Sequence, residues 1–507
     1  MDLRQILVFT AERTPDAVAM VDARRRFSYA DWAGRVFALG RALQGRGVGH
    51  GDRVAYSLRN TIEHATVFFA TQAIGAVAVP INFRSKPAGV QYILEDSEAT
   101  LIVTDEPSLR EQHETAFGPS SLSWIAADEL DELIGSSGAE APDAAVSSDD
   151  LSTILYTSGT TGPPKGVALS HHNACARFVT YALSVGPHLG SELRTFGAAP
   201  LYHTVGMQFV LCLTVLLGGT YYPIRDLDAP SALELIERER LTFLFGSPTL
   251  FHLLLDGETE RGYDLNSVDH LSYGSAPMPP ALLTRIHERF PNTTINEVYG
   301  TTEIAVPFVT RDAPSVRTGA LHVTADHRVR VIKLGGGPGD VAAPGEEGEL
   351  IVDIANDGCF HSYWRKPEQT ADCIRGGWYY TGDAFIRYEN GDYTFTGRLD
   401  DMFISGGENI QPVEIEQLLS THPGIAEVAI IGTPHERWGE AVMALVVRDD
   451  PDLGEAEIDR YCRDSDLEDF KRPRRVIFVD TIERNPSGKL VRKELRDRYL
   501  SGAEQPG

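Results

Sequence analysis

Positive charge is scarce in this chain: 46 lysines and arginines stand against 72 aspartates and glutamates, a formal net charge of -26. A surface of that sign repels a phosphate backbone, which argues against a nucleic-acid partner and leaves any anionic ligand to be met by a local basic patch. Cysteine is scarce too. The five at 175, 212, 359, 373 and 462 form no CxxC pair and no metal-ligand spacing, so they read as reduced, mostly structural thiols of a cytoplasmic protein. Long apolar runs are missing: Phe209 to Leu217 is the most apolar stretch, far short of the roughly 20 residues that cross a bilayer, and it reads as core. The start, Met1-Asp2-Leu3-Arg4-Gln5, has neither the basic nor the apolar region of a signal peptide. Internal repeats and low-complexity segments are absent as well.

What is present is ordinary globular composition, 42% hydrophobic and 23% charged over 507 residues, too long for one core and suited to two or more domains. From Ser28 to about Val103, helix-like segments alternate with short apolar strands such as Arg53 to Ser57 and Ala76 to Ile81. Further strands are expected at Thr195 to Ala199, Thr242 to Phe245, His270 to Tyr273 and Thr294 to Val298, with helices between them. That alternation predicts an α/β fold with doubly wound sheets, whose ligands sit beyond the carboxyl ends of the strands. Gly118 to Ser148, rich in Ser, Ala, Asp and Glu, reads as a surface connection. Past Gly397-Arg398-Leu399-Asp400-Asp401 the pattern changes to a glycine turn, a helix bearing Ile415, Leu418 and Leu419, and strands at Val428 to Ile431 and Val442 to Val447. Residues 1–399 are therefore expected to form a large domain and 400–507 a small α+β one.

The segment Tyr156-Thr157-Ser158-Gly159-Thr160-Thr161-Gly162-Pro163-Pro164-Lys165-Gly166 follows an apolar strand and has the makings of an anion nest. Its glycines permit unusual backbone angles, its hydroxyls donate, and Lys165 adds a point charge. It is not a Walker A loop, because Pro163 and Pro164 separate Gly162 from the lysine.

Taken with Tyr299-Gly300-Thr301-Thr302-Glu303, Tyr380-Thr381-Gly382-Asp383, Gly397-Arg398-Leu399-Asp400 and Asn485-Pro486-Ser487-Gly488-Lys489, this loop resembles the ordered motifs of the adenylate-forming superfamily. The resemblance spans nearly the whole chain. Within the superfamily it is similar to the aryl-CoA ligases in Pro200-Leu201-Tyr202-His203, Ile404-Ser405-Gly406-Gly407-Glu408-Asn409 and Asp469-Phe470-Lys471-Arg472-Pro473. It implies a ligase that uses ATP and Mg2+ to turn a carboxylate into an acyl-adenylate and passes it to coenzyme A. A carboxylate is already ionised at neutral pH, so such a reaction needs charge neutralisation and alignment more than a general base.

The resemblance also distributes roles. Thr157, Ser158, Gly159, Thr160, Thr161, Gly162 and Lys165 would hold phosphates, and Glu303 with Thr160 would hold the metal. Ser275, Glu297, Val298, Tyr299, Gly300, Thr301 and Thr302 would line the AMP site, where Asp383 accepts from the ribose hydroxyls and Arg398 reaches ribose or phosphate. Lys489 would be the adenylation lysine, and Asp400 the hinge about which the mobile small domain turns between half-reactions. His203, Val205, Phe245, Ser275, Val298 and Ala305 would form a tight slot for an aromatic acid. Ile304-Ala305-Val306-Pro307 departs from the Met-Asn pair of chlorobenzoate-activating relatives, which leaves halogen recognition open.

For the acceptor, Lys471, Arg472, Arg474 and Arg475 form a basic cluster in an acidic chain, suited to the phosphates of CoA. Arg84, Gly406, Gly407, Trp438 and Phe470 fall where the aryl-CoA ligases hold CoA or its pantetheine arm. Delivery to a carrier protein, an amine or another small nucleophile is one alternative; a non-catalytic nucleotide-binding protein is another. No membrane span is expected, and a homodimer is left open.

Overall fold

The computed structural model describes residues 1–118, 122–157, 163–185, 192–257, 262–310, 320–484 and 490–500. Among these, seven strands form one sheet in the order Ser362–Tyr363, Lys165–Ser170, Leu151–Thr157, Val77–Pro80, Arg53–Ser57, Leu101–Thr104 and Ser123–Ala126. The last five run parallel, and the two at the other edge are antiparallel additions. Val77–Pro80 and Leu101–Thr104 are buried at every residue, as strands covered on both faces must be.

A second sheet of nine described strands runs His322–Val323, Ala305–Val309, Thr294–Thr301, His270–Gly274, Phe243–Gly246, Arg194–Gly197, Thr220–Pro223, Val18–Val21 and Arg26–Ser28. Its centre is again parallel and its edges antiparallel. The two doubly wound sheets predicted from the alternating pattern are thus present, with helices such as Tyr29–Gly45 and Ile62–Ala73 packed between them. Ser28 begins the first of these helices as a capping box with Asp31, and Thr61 caps the second through His64 N.

A third, antiparallel sheet takes Val329–Ile332, Glu347–Asp353, Trp378–Arg387, Ile374–Arg375 and Tyr393–Arg398. The fourth holds Glu408–Ile410, Phe403–Ser405, Gly439–Arg448, Ile425–His435 and Arg475–Phe478. The apolar interior follows the same division. Two clusters contain only residues between Phe403 and Tyr499, and the others contain only residues between Leu3 and Phe395.

The segment read as a surface connection is more structured than its composition suggests. Ser123–Ala126 adds the edge strand of the seven-stranded sheet, and Leu130–Gly135 is a helix whose Leu130 is buried against Tyr29–Gly45. One buried apolar residue per turn secures a short amphipathic piece, too sparse a signal to stand out from Ser- and Asp-rich neighbours. Phe209 to Leu217 lies inside, as expected, although its first part is a π-helix, Val205–Cys212, that passes into the helix Leu213–Leu217. No described helix is long and apolar enough to cross a membrane, and all five cysteines are free.

Candidate active site

Two adjacent strands build one corner of the site. Trp378–Arg387 and Tyr393–Arg398 place Asp383 directly opposite Arg398, and Arg398 Nη1 lies 3.1 Å from Asp383 Oδ1. The hydroxyl of Tyr299, arriving from the nine-stranded sheet, donates to Oδ2 of the same carboxylate. Asp383 is 3% exposed, and a carboxylate that dry needs such donors to stay charged. Burial first, then the Asp383 charge, pushes the Tyr299 phenol well above its ordinary range, which keeps it a donor. Its ring is half-buried among Phe308, Phe385 and Phe395.

Four residues further along, the chain reverses between Thr294–Thr301 and Ala305–Val309 and presents Glu303 in the turn. The reversal is tight: any side chain on Gly300 would strike the carbonyl of Ala305, and Ala305 itself takes a left-handed φ of 58°. Glu303 is fastened at both ends. Its carbonyl accepts from Phe360 N at 2.7 Å and from Arg177 Nη2 at 3.3 Å; its Oε1 accepts from the Tyr363 hydroxyl at 2.8 Å.

Tyr363 belongs to the edge strand paired with Lys165–Ser170, and its ring centre lies 4.9 Å from Lys165 Nζ. Arg177 is buried, with Nη1 lacking a partner among the described residues. Burial lowers its pKa to about 10, against the pull of Cys359 and Glu303, so the guanidinium is still charged at neutral pH. Thr157 and Lys165 pair where the two strands flank the segment expected to hold phosphates. Ser158, Gly159, Thr160, Thr161, Gly162 and Lys489 lie outside the described residues.

No group of three or more His, Cys, Asp or Glu side chains suited to a metal exists among the described residues. A single carboxylate beside a phosphate loop nevertheless fits Mg2+, which commonly takes one or two carboxylates and completes its shell with phosphates and water.

Phe245, Ser275 and Val298, expected to line an acid slot, lie on or just after three neighbouring strands of the second sheet. Phe245 is the penultimate residue of one strand, Ser275 follows the next, and Val298 lies opposite Gly274 in the third. Ser275 takes a left-handed φ of 72°. Glu297 accepts from the Tyr273 hydroxyl at 3.3 Å. Thr301 accepts from Glu303 N at 3.3 Å, and Thr302 sits in the same turn. His203 stands at the entrance to the π-helix that carries Val205, its ring 4.6 Å from that of Tyr202.

Sequence reasoning missed the residue that holds this loop. Asn60, beyond the strand Arg53–Ser57 of the other sheet, donates to Gly197 O at 2.7 Å and Ala199 O at 3.0 Å, and accepts from Leu201 N at 2.9 Å. Its place past the carboxyl end of a parallel strand was a usable signal. Tyr363 and Arg177 had none, being 60 and 126 residues from the glutamate they hold.

The residues assigned to CoA fall into separate groups. Arg84 is exposed against the Phe83 ring, which meets Tyr202. Gly406 takes a left-handed φ of 62° and donates its N–H to Trp438 O at 2.9 Å; Gly407 follows with φ 95°. Arg474 lies over the Trp438 ring at 5.2 Å, and His435 stacks on that ring. Phe470 is exposed.

The four-cation patch expected from the sequence does not exist as such. Arg472 is buried and paired with Asp459 and Asp469, and Lys471 is held by Glu414 and Glu468 at 2.7 and 2.9 Å. Each cation meets one acidic partner three residues away and one farther along the chain, so the patch contracts to Arg474 and Arg475. Asp400 is exposed in the turn that follows Arg398, and the neighbouring Asp401 is tied to Arg492 at 2.9 Å.

Known proteins resemble this chain over nearly its whole length. The 4-chlorobenzoate--CoA ligase of Arthrobacter sp is 34% identical over 99% of this chain and 96% of its own length. The feruloyl-CoA synthase of Amycolatopsis sp is 35% identical over 96% and 97%. Among solved structures, an anthranilate CoA ligase in complex with anthranoyl-AMP superposes with a TM-score of 0.91 at 25% identity, covering 99% of this chain and 98% of that one. ATP-bound MatB from Rhodopseudomonas palustris gives 0.88 at 29% identity, covering 99% and 100%. Residues 8–364 match the model of the AMP-binding enzymes and residues 414–489 that of their C-terminal domain. The chain belongs to the AMP-binding enzyme family, in its acyl- and aryl-CoA ligase branch.

Proposed function

We propose that this protein is an ATP-dependent acid:CoA ligase acting on an aromatic carboxylate. The carboxylate oxygen attacks the α-phosphorus of ATP and pyrophosphate leaves; the CoA thiolate then attacks the acyl carbonyl and AMP departs with the bridging oxygen. The observation that carries the reading is two sets of contacts, Arg398–Asp383–Tyr299 and Glu303–Tyr363–Lys165, joined by the four-residue step of chain from Tyr299 to Glu303. Acceptors suited to a ribose stand at one end and charge suited to phosphates at the other, which supports an ATP site.

Asp383 accepts from the ribose while Tyr299 and Arg398 keep it ionised, and the Tyr299 ring edges the adenine site. Lys165 holds the β- and γ-phosphates with Thr157 and the loop that follows it. Mg2+, when bound through Glu303 and Thr160, supplies charge neutralisation at the phosphates. His203 orients the acid in a slot lined by Val205, Phe245, Ser275, Val298 and Ala305, whose apolar character supports an aryl ring. Lys489 steadies the charge developing at the α-phosphate.

For the second step, residues 400–507 turn about Asp400 as a domain, withdrawing Lys489 and bringing Gly406, Gly407, Trp438, Phe470 and Arg474 toward Arg84 to receive CoA. Arg474 stacked on Trp438 favours a nucleotide-bearing thiol over a carrier protein.

The test is pyrophosphate exchange across benzoates, cinnamates and aliphatic acids, each also assayed for AMP release with and without CoA. An aryl acid that drives exchange and gives CoA-dependent AMP release is expected. Exchange that never leads to CoA-dependent release would reject the ligase step.

A further inference from the structure

Lys165 and Glu303 carry opposite charges, and among the described residues each meets Tyr363 with no ion pair between them. Between them stands Tyr363, 5% exposed. Its hydroxyl donates to Glu303 Oε1 at 2.8 Å and its ring centre lies 4.9 Å from Lys165 Nζ. The ring has little freedom: Phe360 packs edge-on at 5.0 Å, and Trp364 N donates to Gly166 O at 2.7 Å, pinning the strand to the end of the loop.

We propose that Tyr363 is a positioning residue that holds Lys165 and Glu303 apart and aimed, so that neither charge is spent on the other before ATP arrives. The inference rests on the reading of these two residues as ATP contacts. A phenol suits the task for a physical reason. A cationic donor would neutralise Glu303, whereas a neutral O–H orients one carboxylate oxygen and leaves the charge intact. The aromatic face attracts an ammonium without cancelling it. An aliphatic side chain would do neither, and the two charges, both in contact with this one residue, would be left to turn toward each other.

The hydroxyl and the ring separate experimentally. Tyr363→Phe removes only the donor; Tyr363→Leu removes both interactions. The readout is the dissociation constant of ATP, titrated with its magnesium salt and again with the metal chelated, beside the melting temperature of each variant.

For Tyr363→Phe, weaker binding of the magnesium salt with little change for chelated ATP is expected. That loss should vanish in a Glu303→Gln background, a departure from additivity of about threefold or more, as touching side chains produce. Tyr363→Leu should weaken both forms, and its effect on chelated ATP should vanish in a Lys165→Met background. Additive penalties in the Phe cycle, which keeps the buried ring and hence the fold, would overturn the proposal whatever the Leu variant does. Wild-type protein that binds no ATP in either form would instead overturn the site reading beneath it.

Discussion

At the scale of single residues, the structure separates side chains that the sequence presents as equals. Arg472 and Arg474 stand two apart in one basic run, yet the first is buried and paired with Asp459 and Asp469 while the second is exposed over the half-buried Trp438 ring. Arg472→Glu is expected to destabilise the C-terminal unit by about 1–3 kcal/mol, because it buries a carboxylate beside two partly exposed ones that lose their cation. Arg474→Glu should leave stability within about 0.5 kcal/mol and raise the KM for CoA at least tenfold. Thermal denaturation beside CoA kinetics checks both, and equal loss of stability would refute the distinction. Asn60→Ala removes the clamp on the loop that carries His203. It should raise the KM for the acid by about ten- to a hundredfold, the effect of roughly 1–3 kcal/mol, with the dissociation constant of ATP unchanged. Glu303, Asp383 and Arg398 could be named as candidates from the sequence because each falls within a short motif. Tyr363 and Arg177 were not, because their roles come from long-range packing that no local pattern encodes.

Among elements, the parallel strands were the most legible. Arg53–Ser57 lies where its apolar run predicts, and the expected strand at Ala76 to Ile81 is Val77–Pro80. Those expected at Thr242 to Phe245 and His270 to Tyr273 appear as Phe243–Gly246 and His270–Gly274. Fully buried strands declare themselves as unbroken runs of Val, Ile, Leu and Phe. Connections do not: the strand Ser123–Ala126 and the π-helix Val205–Cys212 depend on neighbours for their form. The turn from Gly300 to Ala305 is the element on which the site depends most, since it joins Tyr299 to Glu303. Gly300→Ala forces a methyl against the Ala305 carbonyl, and pyrophosphate exchange should fall at least tenfold while overall stability falls by only about 1–3 kcal/mol. Exchange at the wild-type rate would show that the turn tolerates displacement.

For the molecule as a whole, acid should loosen the fold through buried histidines before carboxylates matter. Burial lowers both His64 and His171 to about 4, while an unfolded histidine titrates near 6.5. The unfolded chain therefore takes up protons first, so stability present above about pH 6.5 is lost as pH falls toward 4, by on the order of 3 kcal/mol for each. Melting temperatures across that window should fall, and His171→Asn should flatten part of the decline; an unchanged slope would contradict the assignment. The proposed division of labour between the two units makes a kinetic demand too. Lys489→Ala should abolish adenylation yet spare thioester formation from supplied acyl-adenylate, and equal loss of both steps would contradict it. The central claim, ligation through an acyl-adenylate, is tested most directly with a carboxylate labelled with heavy oxygen on both atoms. After one turnover with ATP and CoA, mass spectrometry should find one label in AMP and one in the acyl-CoA thioester. Unlabelled AMP, or label in inorganic phosphate released beside ADP, would contradict it.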